Sequence, residues 1–349
     1  MPRSKKLASL IGVATLALLA LPQANAQALK VVSTFSIISD FARNVGGDRV
    51  ELTTLVGPDG DAHSYEPRPA DATAIGNADV VLVNGAGFEG FLQRLVRASG
   101  GKATVVELSK GAALLRNADD DHGSHEGHDH DHHHGDDHKH DHNDHNDHNH
   151  EHDHGHAHGD QQEHAKAHHH HHGEYDPHAW QSVHNAQVYV RNIADAFCAA
   201  DEQDCAAYRA NARSYSEKLN VLDKELKAAV AQIPPQRRTI ITSHDAFAYL
   251  GSAYGLRFLA PQGASTESEA SAADIGALIR QIREQKASAI FLENVSNPRL
   301  VHQIANETGM KTSGKLYSDA LSTANGPAAT YIDMMRHNIE TIRDGALGK

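Results

Sequence analysis

The chain has 349 residues, with 45 acidic side chains, 32 basic ones and 29 histidines, and a formal charge of −13. Between Asp119 and His172, 15 acids face only Lys139 and Lys166, so that segment carries nearly all of the excess charge. The remainder is close to balanced and offers no basic face for nucleic acid.

The N-terminus has the three parts of a secretory signal: the charges Arg3, Lys5 and Lys6, the apolar run Leu7–Leu21, and Ala24-Asn25-Ala26 before Gln27. Residues 1–26 are therefore expected to be removed after Ala26. The apolar run is too short for a membrane anchor, and no cysteine stands near the cleavage site to take a lipid. These features predict a soluble periplasmic protein with no membrane insertion. Without the signal and the acidic segment, roughly 270 residues remain, enough for two ordinary domains.

A strand is predicted over Leu29–Thr34, an amphipathic stretch over Ile37–Val45, and a strand over Arg49–Val56 that runs into the turn GPDGDAH. Helix Pro69–Gly76, strand Asp79–Val83, helix Phe88–Ala98 and strand Ala103–Leu108 follow. Strands alternating with helices predict a parallel α/β sheet. Gly85-Ala86-Gly87-Phe88-Glu89-Gly90 follows a strand and precedes Glu107, close to a dinucleotide fingerprint. Glu89 would stand where a pyrophosphate belongs, and an exported protein meets little nicotinamide cofactor. The run is read as a tight strand-to-helix turn.

The segment from Asp119 to His172 holds 23 of the 29 histidines, interspersed with Asp, Asn and Gly. Neutral imidazole suits zinc, copper, nickel and iron, and carboxylates support it with charge. Such residues build no packed core, so 117–173 is expected to be a solvated loop. His168–His172 alone would pass for a purification tag, but the internal position and the dispersed D-H and H-N-D repeats argue against one.

Two helices are predicted next, Ser182–Ala199 and Cys205–Ile233. Apolar residues recur every three or four positions in the second, until Pro234-Pro235 stops it. At 1.5 Å per residue it would reach roughly 40 Å, a stiff spine. Cys198 and Cys205 frame the turn between the two helices, and in an oxidising compartment they are expected to form a disulfide. Alternation then resumes with strands Thr239–Thr242, Arg257–Ala260, Ser288–Leu292 and Thr312–Leu316 and helices Ala246–Gly251, Ser271–Gln285, Pro298–Thr308 and Pro327–Arg343. The expected organisation is an N-terminal α/β lobe over 27–204, a spine over 205–233 and a C-terminal α/β lobe over 234–349.

Six histidines lie outside the tract. His63, His244 and Asp319 each follow a predicted strand, where open parallel sheets bind ligands. His178, in DPHAW, lies on a link able to reach the same cleft. Three imidazoles and one carboxylate suit tetrahedral zinc, and a closed four-ligand shell captures a metal rather than leaving a place for substrate. A binding protein, not an enzyme, is expected. His184, His302 and His337 fall on predicted helices and are read as surface or satisfied residues. Asp61 is read first as turn chemistry and second as an outer partner of the site. Trp180 either shields the site or packs. Glu66 and Glu293 are candidates to orient imidazole N–H groups.

GPDGDAHSYEPRPAD, DPHAW, SHDAFAYLGSAYG, GASTESEASAADI and LYSDALS resemble the cluster A-I (cluster 9) solute-binding proteins of bacterial zinc and manganese ABC importers. The resemblance runs from about Leu29 to the C-terminus. It implies two similar lobes with parallel four-stranded sheets, a long rigid helix joining them and one metal in the interlobe cleft. It also implies a monomer that delivers its metal to a membrane permease. His63, His178, His244 and Asp319 occupy the family's four ligand positions. The third is commonly Glu in the manganese branch; His244 and the acidic His-rich insertion point to the zinc branch. The disulfide departs from the better-known zinc binder, where it lies in the second lobe. In this reading Zn2+ is the transported ligand, and the tract collects it from dilute solution or accepts it from a periplasmic metallochaperone. The rival is a metal buffer whose main capacity is the tract, with a manganese-binding importer component as a further alternative.

Overall fold

The computed structural model describes residues 28–117 and 173–349; the expected signal peptide and almost all of the His-rich tract lie outside the described residues. The first sheet is built around β1 (Leu29–Phe35), with β2 (Val50–Val56) on one side and β3 (Val80–Val83) then β4 (Thr104–Glu107) on the other, all parallel. Its central strands read as continuous apolar runs because a parallel sheet is covered on both faces, and all of VVLV in β3 is buried. The second sheet repeats the plan. β5 (Thr239–Ile241) lies between β6 (Arg257–Leu259) and β7 (Ala289–Glu293), with β8 (Thr312–Leu316) outside β7. Orders β2-β1-β3-β4 and β6-β5-β7-β8 are the same topology used twice. Each sheet changes its direction of growth beside its first strand, so each opens a crevice at its carboxyl edge.

Helices α1 (Ser36–Gly46), α2 (Pro69–Gly76) and α3 (Leu92–Ser99) belong to the first sheet; α6 (Ala248–Tyr254), α7 (Ala272–Gln285), α8 (Pro298–Thr308) and α9 (Tyr331–Leu347) belong to the second. Between them run α4 (Val183–Ala200) and α5 (Cys205–Val230). In α5 the buried residues are Tyr208, Ala212, Tyr215, Leu219, Leu222, Leu226 and Val230. That three-and-four spacing makes a single apolar stripe, which packs α5 against α4, α1 and α9. The 26 residues of α5 span about 39 Å at 1.5 Å each.

Most element boundaries shift by a residue or two from the sequence expectation, and several by three or four, among them the end of α6 at Tyr254 and the end of α9 at Leu347. Helix α3 starts at Leu92 rather than Phe88, the residues between being spent on turns in which the Phe88 N–H donates to the Gly85 carbonyl and the Leu92 N–H to the Glu89 carbonyl. Helix α5 stops at Val230, and the residues to Ile233 close it as turns. Helix α9 starts at Tyr331 rather than Pro327; the Thr330 hydroxyl accepts the Asp333 N–H and caps it.

One continuous core joins both lobes, including Phe35, Phe41, Trp180, Phe247, Phe291 and Tyr331; a smaller one lies under α7 and α8. Polar ties run beside it. The Asp40 carboxylate on α1 accepts the Tyr331 N–H at 3.0 Å and the Tyr215 hydroxyl at 3.2 Å, linking three helices. Burial pushes its pKa up, although both donors pull it down. Among the described residues no helix is long and apolar enough to cross a membrane.

Cys198 and Cys205 are bonded across a separation of seven residues, joining the end of α4 to the start of α5. Closing a loop that short removes about 2–3 kcal/mol of unfolded-state freedom in the chain-entropy model. Replacing both cysteines with serine should lower stability by about that amount in denaturant titration. Metal affinity should stay unchanged, because the bond lies at the far end of α4 from His178.

Candidate metal centre

Each of the four expected ligands leaves an element that fixes its backbone first. Past β2, the turn Gly57–Gly60 closes with the Gly60 N–H on the Gly57 carbonyl, and the Asp61 carboxylate accepts the His63 N–H at 2.9 Å. The other Asp61 oxygen accepts the Ser64 and Thr266 hydroxyls, each at 2.7 Å. Asp61 is therefore turn chemistry, as expected, and also a tie to the opposite lobe. Past β5, the N–H groups of Ser243 and His244 both donate to Glu293 Oε1, at 2.6 and 3.0 Å. Past β8, the Ser318 carbonyl accepts the Trp180 indole N–H at 3.1 Å and the Gln181 amide at 2.8 Å, which pins the chain one residue before Asp319. The DPH segment is held where Asn84 donates to the Pro177 carbonyl at 2.9 Å and accepts the Tyr189 hydroxyl at 2.6 Å.

The structure brings His63, His178, His244 and Asp319 together: one donor atom from each lies within 4.8 Å of all the others. His178, His244 and Asp319 are fully buried and His63 is 6% exposed. Asp319 is the common partner. Its Oδ2 stands 3.1 Å from His244 Nε2 and 3.4 Å from His63 Nε2, and its Oδ1 stands 3.6 Å from His178 Nε2. Three of the inward-facing atoms, His63 Nε2, His178 Nε2 and Asp319 Oδ1, have no aligned hydrogen bond. Buried polar atoms are seldom left so, and lone pairs converging on one point are what a cation requires.

Two further carboxylates set the rings. Asp176 Oδ1 lies 2.7 Å from His178 Nδ1 and also accepts the His178 N–H at 2.9 Å. Glu293 Oε2 lies 2.7 Å from His244 Nδ1, an ion-pair distance outside good hydrogen-bond alignment. A carboxylate beside Nδ1 favours the proton there and turns the Nε2 lone pair to the centre. Burial by itself pulls His178 and His244 down. Asp319 with Asp176 lifts His178 above the ordinary imidazole value, and Glu293 with Asp319 lifts His244 well above it. Burial pushes Asp319 up, yet His244 and His178 hold it well below the usual carboxylate range. With Asp176 and Glu293 counted, a dication here would meet three carboxylates rather than one.

Of the other residues weighed in the sequence, Glu293 is at the site and Glu66 is not: Glu66 is exposed, beside Arg68 and Arg94. Trp180 is fully buried, with its ring 5.3 Å from His178, 4.9 Å from Phe88 and 5.0 Å from Phe35. It both packs and walls the site. His184 and His302 are exposed on their helices, and His337 donates to the Lys315 carbonyl at 3.0 Å. Asp176 was missed; its signal was the spacing in Asp-Pro-His, where a carboxylate two residues ahead can reach both the N–H and the ring of the histidine. A cleft of about 260 Å³ opens beside His63 and touches no other ligand. Phe88, Gly90, Glu267 and Ser268 line it, together with Asn117 and Gly173, the described residues that border the tract.

The glycine-rich turn holds no free anion cradle. The Glu89 carboxylate accepts the N–H groups of Asn84 at 2.6 Å and Gly85 at 3.3 Å and the Thr34 hydroxyl at 2.6 Å. The chain's own carboxylate fills the place a phosphate would take.

A family model described as zinc-uptake complex component A, periplasmic, matches residues 31–345. The manganese-binding lipoprotein MntA of Halalkalibacterium halodurans is 30% identical, over 91% of this chain and 89% of its own length. The iron-binding protein YfeA of Yersinia pestis is 28% identical, over 93% and 88%. Among solved structures, the manganese-bound periplasmic metal-binding protein from Candidatus Liberibacter asiaticus is 29% identical, with a TM-score of 0.70 over 90% of this chain and 98% of its own. The periplasmic zinc-binding protein TroA of Treponema pallidum is 26% identical, with a TM-score of 0.72 over the same shares. The two-lobed α/β fold is theirs, and the chain belongs to the family of periplasmic metal-binding components of ABC importers that the zinc-uptake component A model describes.

Proposed function

We propose that this chain is exported through residues 1–26, captures one zinc ion in the periplasm with His63, His178, His244 and Asp319, and delivers it to the permease of an ABC importer. The observation that carries the proposal is the convergence of four buried donor atoms within 4.8 Å, two of them on imidazoles with a carboxylate at the opposite ring nitrogen. Membership of the family does not choose the metal, since relatives are named for manganese, iron and zinc. The donor set favours zinc: three imidazoles and one inner carboxylate suit that borderline-soft ion, whereas manganese favours oxygen donors. The surrounding negative charge serves capture, because it offsets the cost of drawing a dication out of water.

The proposed tract function is collection. It joins the described chain at Asn117 and Gly173, on the rim of the cleft beside His63. Many weak sites tethered there raise the local zinc concentration at the one ligand with any exposure.

His63→Ala or His244→Ala should each weaken zinc binding by orders of magnitude in chelator competition; near-normal affinity in either variant would sink the assignment. Removing residues 118–172 should leave one tightly held zinc, with manganese far weaker, and slow only the loading from dilute zinc. Loss of tight binding in that variant would favour the buffer reading, and a preference for manganese would favour the rival metal.

Protons compete with zinc for the same Nε2 lone pairs. His178 and His244 keep their protons to higher pH than ordinary imidazole. Apparent affinity should therefore be full only above their raised pKa values and should fall as pH drops through them, beginning above about 6.5. Affinity measured in steps from about pH 9 to 6 tests this; a flat profile down to the ordinary imidazole value would contradict it.

A further inference from the structure

Tyr249 is fixed to the metal centre without touching it. It projects from α6 of the second lobe and is 3% exposed. Its hydroxyl donates to the Asp176 carbonyl at 2.7 Å and accepts the Leu115 N–H at 2.9 Å. Leu115 and Asp176 are themselves paired, the Asp176 N–H donating to the Leu115 carbonyl at 2.9 Å. Two residues further out, the Asn117 N–H donates to the Glu174 carbonyl, Arg116 and Tyr175 form an antiparallel bridge, and Arg116 pairs with Glu174 at 2.8 Å. The two ends of the chain that border the tract are thus zipped into a short stem, and Tyr249 grips the base of that stem from the opposite lobe.

The stem ends on a residue that matters chemically. Asp176, whose carbonyl Tyr249 holds, is the residue whose carboxylate sits 2.7 Å from His178 Nδ1. Tyr249 also lies five residues beyond His244 on the same segment of chain. One stretch of the second lobe therefore supplies His244 directly and grips the backbone that carries the first lobe's His178.

From this juxtaposition we infer that Tyr249 is a positioning residue for zinc capture: its hydroxyl clamps Asp176 so that the His178 ring is held at a set distance from His244 across the lobe boundary, whatever the tract beyond the stem is doing. The inference rests on the zinc-capture reading of the four-residue cluster. Physically it supplies two things. It presets the separation of ligands contributed by different lobes, so binding need not spend free energy on aligning them. It also isolates His178 from pulling or loading of the tract, because force along the chain reaches the stem and α6 before it reaches the ligand.

The test is zinc affinity and zinc off-rate, by chelator competition, for the full mature chain and for Tyr249→Phe, Asp176→Ala and the double variant. Phenylalanine keeps the ring in the core and removes only the hydroxyl. Loss of a group that orients a metal-bound histidine typically costs about 10–100-fold in affinity; Asp176→Ala should fall in that range, and Tyr249→Phe should lose several-fold, with a faster off-rate. Tyr249 grips the Asp176 carbonyl, which alanine keeps, but acts on the His178 ring through the Asp176 carboxylate, which alanine removes, so Tyr249→Phe should cost far less in the Asp176→Ala background than in the parent. Additive losses would overturn the inference, and so would an unchanged affinity in Tyr249→Phe accompanied only by a lower thermal midpoint, the pattern of a structural hydrogen bond. Where Asp176→Ala fails to fold, Asp176→Asn completes the same cycle. A parent protein that holds no tight zinc would instead refute the capture reading itself, a result separate from either outcome for Tyr249.

Discussion

A carboxylate with no exposure at all costs several kcal/mol unless positive charge or strong donors surround it, and Asp319 has none of its surface in water. Its three neighbours at 3.1–3.6 Å are imidazole nitrogens, which serve as counter-charges when protonated and as fellow ligands when not. That single buried group sets demands on both lobes. His63 and His178 come from one, His244 and Asp319 from the other, so the carboxylate is tolerated only where the lobes meet in one arrangement. The ties around it supply that arrangement: Trp180 and Gln181 hold the Ser318 carbonyl, the Asp59 N–H donates to the Leu321 carbonyl at 2.8 Å, and the Ser36 hydroxyl accepts the Leu321 N–H at 2.9 Å.

The repeated topology explains why the site lies where it does and why only part of each half contributes. Two sheets of the same order open crevices at their carboxyl edges, and facing them places four loops around one volume. Both halves bury a glutamate that collects loop N–H groups. In the second half Glu293 uses its other oxygen to reach His244 Nδ1. In the first half Glu89 also binds the Thr34 hydroxyl and meets no ligand. The same device stands against a proposed metal ligand in one half and closes a turn in the other.

Much of this was legible in the chain. Alternating strands and helices, a three-and-four stripe in α5, and ligand-type residues just past three strands carry the fold and the four-residue cluster. What escaped depends on contacts between distant segments. Tyr249 reads as one more core aromatic, because nothing local shows that its hydroxyl meets the backbone at 115 and 176. Glu66, a candidate to orient an imidazole, faces solvent, whereas the carboxylate of Asp176, two residues from His178, folds back onto that ring. The helix expected at Phe88 begins later, since the Glu89 carboxylate is drawn back onto the Asn84 N–H and residues 88–91 form turns.

Selectivity then has to come from local geometry rather than from closing one lobe on the other. Tyr331 of the second lobe packs on Phe41 of the first at 4.7 Å between ring centroids, and its hydroxyl donates to the Trp180 carbonyl at 2.8 Å. Both rings are fully buried, and an aromatic pair in such contact adds about 0.5–1.5 kcal/mol beyond the area it buries, so parting the lobes there is costly. A metal site can draw at most a fraction of its binding free energy for such a motion without losing affinity. Even beside the cleft at His63 the lobes are tied, by the Thr266 hydroxyl on Asp61 and by the Tyr249 hydroxyl on the Asp176 carbonyl. A rigid, shared core therefore suits the proposed capture: it keeps three of the proposed ligands in register and leaves the fourth, His63, beside the cleft.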